Sequence, residues 1–242
     1  MHRVKYDYKD IPTIKKFALS DARFRYLIGP IASGKTSGCV MEIIRRCNEQ
    51  NFGKGGIRRS KWMVIADSLW QLKDCTIPSF MDWFPPEVFG NYRLSDRTYV
   101  IDKLTETYIE ILFRTLDDFR DEYKFPDFHL TAAWFNGCGD IPQRVFDMMD
   151  SRIQRYPSVN DGGCKWAGII IDTCPPDTRT FLRKLAMGKN KRCEVFRQPS
   201  GLSDQAENMS NLPPDYYRMV AAGKDEWWVD KYIHGEMRED KL

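Results

Sequence analysis

The chain has 242 residues, of which 42% are hydrophobic, 29% charged and 13% aromatic, and its net charge is +3. That length fits one large domain, or one domain with a small lobe, at roughly 150 residues per domain, and the composition excludes a disordered chain. The charge is too mild to announce a dedicated nucleic-acid binder; no apolar run approaches the roughly 18 residues of a membrane span, and the start MHRVKYDYKDIPTIKKF lacks the apolar stretch of a secretory leader.

The elements alternate between strand and helix. Residues 25–29 (RYLIG) form a short apolar run ending in glycine, and 34–50 has helical spacing at Val40, Ile43, Ile44 and Cys47, with Arg45 and Arg46 where cations suit the helix dipole. Residues 61–67 (KWMVIAD) read as a buried strand, and 68–84 as a helix disturbed by Pro78. Residues 97–116 alternate in two arms and predict a hairpin. A strand at 130–136, a helix at 142–155 with Pro142 at its first position, a strand at 166–172, a helix at 178–187 and a strand at 193–197 follow. Helical pieces rich in aromatics occupy 215–234, with Trp227, Trp228 and Tyr232 spaced as core. The expected fold is α/β: a mainly parallel central sheet flanked by helices, with the hairpin as an antiparallel addition.

The seven cysteines, Cys39, Cys47, Cys75, Cys138, Cys164, Cys174 and Cys193, are scattered and form no C-x-x-C pair, so free thiols in a reducing compartment are expected. His2, His129 and His234 do not cluster.

Gly29-Pro30-Ile31-Ala32-Ser33-Gly34-Lys35-Thr36 matches the phosphate-loop pattern G-x-x-x-x-G-K-[ST] at every fixed position, between an apolar strand and an amphipathic helix that continues through Ser37. Glycines let backbone N–H groups turn inward around phosphates, and the helix start adds partial positive charge. Lys35 is suited to the β- and γ-phosphates and the Thr36 hydroxyl to Mg²⁺, which makes ATP and Mg²⁺ the expected ligands. Such a site also needs an acid at the end of a second strand. Three strand ends offer candidates: Asp67, Asn136 and Asp172, of which Asp172 (four apolar residues, then Asp) is the best pattern match. Residues 54–61 (KGGIRRSK) place Arg58 and Arg59 among four cations in a glycine-rich loop, a candidate contact to DNA phosphates, and 184–192 (KLAMGKNKR) is similar.

From about residue 20 to 235 the chain resembles the ATPase domain of a tailed-phage terminase large subunit, the motor that packs DNA into proheads. The resemblance runs through RYLIGPIASGKTSGCVMEIIRRC, the Trp-Phe-Pro segment ending at Pro86, LTAAWFNGCGD with IQRYPS after it, GIIIDTCPPDT, and the closing segment from Phe196 to Glu236. It implies that residues 29–37 hold nucleotide, that Asn136 stands at the metal-side position with Thr36, that Thr173 and Cys174 couple to the γ-phosphate, and that Arg152 and Arg155 touch phosphate, DNA or a neighbouring subunit. It implies a lead-in at 1–20, the ATPase domain at 21–236 and the start of a linker at 237–242, with no nuclease on this chain. Implied partners are double-stranded DNA, a portal protein, a small terminase subunit and further copies in a ring, in the cytoplasm of an infected bacterium.

The chain departs from the family pattern at four working positions. Gly137 stands where the family has its catalytic Glu, Gly139 where it has Arg, Ala66 where it has Arg, and Cys174 where it has Asn. Asp140 is the nearest carboxylate to the missing one. Three readings follow: a motor domain with impaired hydrolysis, a nucleotide-binding module without hydrolysis, or an unrelated P-loop ATPase whose acid is Asp172.

Overall fold

The computed structural model describes residues 4–119, 127–188 and 192–237. His2, Lys189, Lys191 and nearly all of the expected linker start lie outside the described residues.

Eight strands form one sheet: β1 (Phe24–Ile28), β2 (Arg58–Ala66), β3 (Gly90–Arg93), β4 (Thr98–Leu104), β5 (Thr107–Thr115), β6 (Ala132–Asn136), β7 (Ile169–Thr173) and β8 (Cys193–Arg197), in the order β3-β4-β5-β2-β6-β7-β1-β8. Pairing is parallel from β5 to β8 and antiparallel for β3–β4 and β4–β5. The α/β sheet with an antiparallel hairpin is therefore as the sequence predicts. β3 extends that hairpin and has too few alternating residues to show in the sequence.

The helices are α1 (Pro12–Leu19), α2 (Lys35–Asn48), α3 (Leu69–Gln71), α4 (Ile77–Trp83), α5 (Pro86–Phe89), α6 (Gln143–Arg152), α7 (Phe181–Ala186), α8 (Tyr216–Ala221) and α9 (Glu226–Val229). The disturbance expected from Pro78 is a π turn, Leu72–Thr76, that joins α3 to α4. Proline has no N–H to donate and its ring clashes with the carbonyl four residues back, so the helix widens there rather than ending. Pro142 is the N-cap of α6, not its first helical residue.

Side chains alternate across the central strands, so each strand is buried on both sides. Leu27, Trp62, Val64, Trp134 and Ile170 pack with α1 and α2 on one face. Tyr26, Met63, Ile65, Phe135 and Ile171 pack with α6 and α7 on the other. The same alternation puts Asn136, two after Trp134, and Asp172, two after Ile170, on the α2 face. Thr173 falls on the opposite face, where its Oγ1 lies 2.8 Å from the Tyr26 hydroxyl.

Under α2 lies a buried ion pair. Arg25 Nη1 and Glu42 Oε1 are 2.7 Å apart with both side chains 0% exposed, and the Arg25 guanidinium stacks between Phe17 and Trp166. Two local expectations are corrected. Arg58 to Lys61 belong to β2 and not to a loop, because they continue its parallel ladder with β5. Trp227, expected in the core, is 51% exposed; Lys231 lies over its ring and over that of Tyr232, and Lys224 over Trp228.

Candidate nucleotide-binding site

The parallel register lines up the C-terminal ends of β2, β6, β7, β1 and β8. Ala66 pairs with Asn136, Asn136 with Asp172, Leu27 with Asp172 and Ile28 with both Thr173 and Arg197. The loop Gly29–Thr36 leaves β1, between β7 and β8 in this row, and enters α2 at Lys35. Gly34 has φ +83°, a left-handed conformation that glycine adopts without the cost of a Cβ.

Distant residues hold the loop. Gly29 N donates to Thr173 O (3.3 Å) and Ile31 N to Tyr232 O (2.9 Å). The Tyr217 hydroxyl donates to Ile31 O (2.8 Å) and Asn208 Nδ2 to Ala32 O (2.8 Å). Gln198 Nε2 donates to Ser33 O and to Glu207 Oε2, both at 2.9 Å, while its Oε1 accepts from the Ser33 hydroxyl at 2.7 Å. A Cβ on Gly29 would overlap that same Gln198 oxygen, so the first glycine of the motif is required by packing. Lys35, 8% exposed, donates from Nζ to the carbonyls of Gly29 (3.1 Å) and Pro30 (2.5 Å) and to Ser33 Oγ (3.3 Å).

A polar chain runs from the loop to the neighbouring strand ends. Asn136 Nδ2 donates to Thr36 Oγ1 (3.3 Å) and to Asp172 Oδ1 (3.0 Å). Trp134 Nε1 also donates to Asp172 Oδ1 (2.7 Å), and Thr76 Oγ1 donates to Asn136 Oδ1 (2.6 Å). Burial pushes the Asp172 carboxyl above the usual range, while the bond from Asn136, the charge of Lys35 and the bond from Trp134 pull it back. Thr36 Oγ1 and the Asp172 carboxylate are hard oxygen donors of the kind Mg²⁺ takes when phosphates and water complete its shell; Asn136 turns Nδ2 toward both and Oδ1 toward Thr76, so it offers a metal an oxygen only with its amide turned over. No group of three or more His, Cys, Asp or Glu suited to a metal occurs among the described residues.

Beyond Asn136 the end of β6 is bare. Gly137 has φ +62° and donates its N–H to Asp172 O at 2.8 Å. Cys138 is buried, its Sγ directed at Ile65 O, and burial raises its thiol well above the ordinary value. A Cβ on Gly139 would meet nothing. Asp140 lines a cleft with Asp67 and Asp117, which follow β2 and β5, so it sits on the side of β6 away from the phosphate loop. Cys174 is half-buried and its carbonyl accepts from Thr173 Oγ1 (2.5 Å).

The four candidate arginines lie at the other end of the sheet. Arg58 is the first residue of β2, eight residues before Ala66, or roughly 26 Å at about 3.3 Å per residue. It stacks on Phe52, and Arg59 pairs with Asp161 (3.2 Å). Arg152 and Arg155 exchange backbone bonds with Leu130, ahead of β6, and both pair with Asp127. None of the four is near the phosphate loop. Conversely, Gln198, Asn208, Trp134, Thr76 and Gln71 join the site without a motif to mark them. The two-residue spacing that sets Trp134 on the same face of β6 as Asn136 is the signal the sequence holds for one of them.

Next to the loop a cleft of about 490 Å³ opens between the N-terminal segment and α2, lined by Tyr6, Asp10, Gly34, Ser37, Trp83 and Asn208 among others. Trp83 Nε1 donates to Ser37 Oγ at 3.1 Å. All seven cysteines are free. No helix among the described residues is long and apolar enough to cross a membrane.

No family model matches the chain, and no curated protein matches it in sequence. Solved structures match it in fold. The large terminase of a thermophilic bacteriophage superposes with a TM-score of 0.74 at 11% identity, over 96% of this chain and 53% of that one; it has also been solved in complex with ADP and with ATP-gamma-S. The large terminase of bacteriophage HK97 gives 0.61 at 12% identity, over 96% and 51%. The large terminase ATPase domain of Thermus phage P74-26 gives 0.57 at 14% identity, over 98% and 94%. The chain spans about half the length of the first two terminases and nearly all of the P74-26 domain. Its fold is that of the large-terminase ATPase domain.

Proposed function

We propose that the chain is the ATP-binding motor domain of a viral DNA-packaging terminase large subunit, with residues 21–236 as the ATPase domain. The observation that carries the reading is the contact between Thr36, in the first turn of α2 after an intact phosphate-loop motif, and Asn136 at the end of a parallel strand separated from β1 by one strand. In this reading the backbone N–H groups of 32–36 and the start of α2 face the phosphates. Lys35 exchanges its bonds to the Gly29 and Pro30 carbonyls for phosphate oxygens. Thr36 would hold Mg²⁺, with Asn136 beside it once its amide turns over to present Oδ1, and the Asp172 carboxylate behind them. Bound there, the metal neutralises charge on the phosphate oxygens. The cleft beside Ser37 and Trp83 receives the base and ribose. Thr173 and Cys174, on the strand between loop and metal side, couple the site to the rest of the domain.

By the same reading the partners are double-stranded DNA, a portal protein, a small terminase subunit and neighbouring copies in a ring, and the protein works in the cytoplasm of an infected bacterium. Arg58, Arg59, Arg152 and Arg155 are candidate DNA or subunit contacts, since their end of the sheet is far from the nucleotide. Gly137 favours one second reading: a module that binds nucleotide without turning it over. An unrelated P-loop ATPase relying on Asp172 draws no support from the fold likeness.

Calorimetric titration with ATP, with and without Mg²⁺, tests the reading. Wild type should bind, and Lys35→Ala should lose roughly 100-fold in affinity, since bonds to a charged group contribute about 1.5–3 kcal/mol each. Absence of binding at millimolar ATP sinks it. Lys35-dependent turnover selects the motor; binding without turnover selects the module.

A further inference from the structure

The end of β6 offers no side chain at 137 or 139 to aim a water at a phosphate, yet that space holds a polar group. A Cβ on Gly137 would fall well inside contact distance of Gln71 Nε2. The Gln71 amide therefore stands where a side chain at 137 would leave the backbone.

Gln71 is held from two directions. Ser68, the N-cap of α3, accepts the Gln71 backbone N–H through Oγ at 3.3 Å. The Gln71 side chain donates from Nε2 to the Asn136 carbonyl at 2.9 Å. Its Oε1 accepts no hydrogen bond from another described residue, and the side chain is half-buried. Five residues on, Thr76 reaches the other side of Asn136 through its hydroxyl. Residues five apart diverge on an α-helix, but the π turn Leu72–Thr76, with its i→i+5 repeat, stacks them on one face. The widening forced ahead of Pro78 thus delivers two grips to Asn136, which itself touches Thr36.

We propose that Gln71 orients the attacking water in this site, in place of the carboxylate absent at Gly137. The proposal rests on the nucleotide reading above. The free Oε1 accepts a hydrogen bond from the water, whose oxygen forms the new bond to the γ-phosphorus as the bond to the bridging oxygen of ADP breaks. The amide takes no proton; the proton of the water leaves with the phosphate product. Turnover is therefore slower than with a carboxylate, and its pH profile carries no carboxylate step from this residue.

The test compares wild type, Gln71→Ala and Gln71→Glu for Mg-ATP turnover and for ATP affinity. Gln71→Ala should bind ATP within about threefold of wild type and lose roughly 10- to 100-fold in turnover, toward the low end of what a positioned catalytic group contributes. Gln71→Glu, which keeps shape and volume, should raise turnover at neutral pH. The ratio of its rate to that of wild type should fall as pH drops through about 5, toward the ordinary glutamate value near 4.3. A merely structural role gives the opposite slope, since Gln71→Glu removes the donor to the Asn136 carbonyl and protonation at low pH restores it. Wild-type turnover in Gln71→Ala overturns the proposal, as does a Gln71→Glu profile superimposable on wild type. A wild-type chain that binds ATP but turns over no faster than Lys35→Ala overturns it and leaves nucleotide binding standing. A wild-type chain that binds no ATP overturns both.

Discussion

Two strand ends on the same edge of the sheet, one strand apart, are both built on glycine and behave differently. At the end of β1 the glycines serve a loop held by β7, β8 and the C-terminal segment, through Thr173, Gln198, Asn208, Tyr217 and Tyr232. At the end of β6, Gly137 and Gly139 carry no comparable scaffold, and the chemistry nearby comes from a helix, through Gln71 and Thr76. Backbone donors suffice to cradle phosphates, so glycine there costs the site nothing. Aiming a water needs a side chain, so on the proposed reading the task that glycine at 137 cannot perform falls to Gln71.

The largest expected effect lies beneath the first strand end. Glu42→Ala leaves Arg25 buried without its carboxylate partner and should cost about 3–5 kcal/mol in urea unfolding. A loss below about 1 kcal/mol, the range of an exposed pair, would mean that the loop side does not depend on its buried pair. Gln198→Ala strips partners from Ser33 O and from Glu207, both buried, and should cost about 2–3 kcal/mol while weakening ATP binding in the same calorimetric assay.

At the second strand end the two glycines should separate. Gly137→Ala forces a Cβ into left-handed backbone against Gln71 and should cost about 1–2 kcal/mol. Gly139→Ala meets nothing and should stay within about 0.5 kcal/mol. Equal costs would erase the distinction drawn between them.

The smallest effect is a slope with pH. The folded-state pKa of Asp172 is raised, chiefly by burial, so this group favours the fold fully below the unfolded value of about 3.9, and that contribution is lost as pH rises through the folded value. Asp172→Asn keeps an acceptor for Trp134. Its urea midpoint should gain on wild type as pH rises above the unfolded value without Mg²⁺; a constant difference would show that burial does not raise the Asp172 carboxyl.

Much of the fold is legible because its signals are local. The hairpin shows in the alternation of β4 and β5, and the buried strands in runs such as Ile169 to Ile171. Trp227 misleads because helical spacing of aromatics marks one face without saying what covers it; here the cover is lysine stems and solvent. Arg58 and Arg59 mislead for a related reason: a basic, glycine-led segment looks like a loop until β5 pairs with it.

By itself the sequence determined the phosphate loop. Strand, glycine turn, Lys35, Thr36 and the helix start are contiguous, so the motif shows without any distant residue. Only the tertiary structure decided what surrounds the loop. The parallel register set Asn136 and Asp172 beside Thr36, the far end of the sheet took the arginines, and a π turn brought Gln71 to Gly137. Those placements join residues far apart in the chain, and only packing of the whole sheet fixes them.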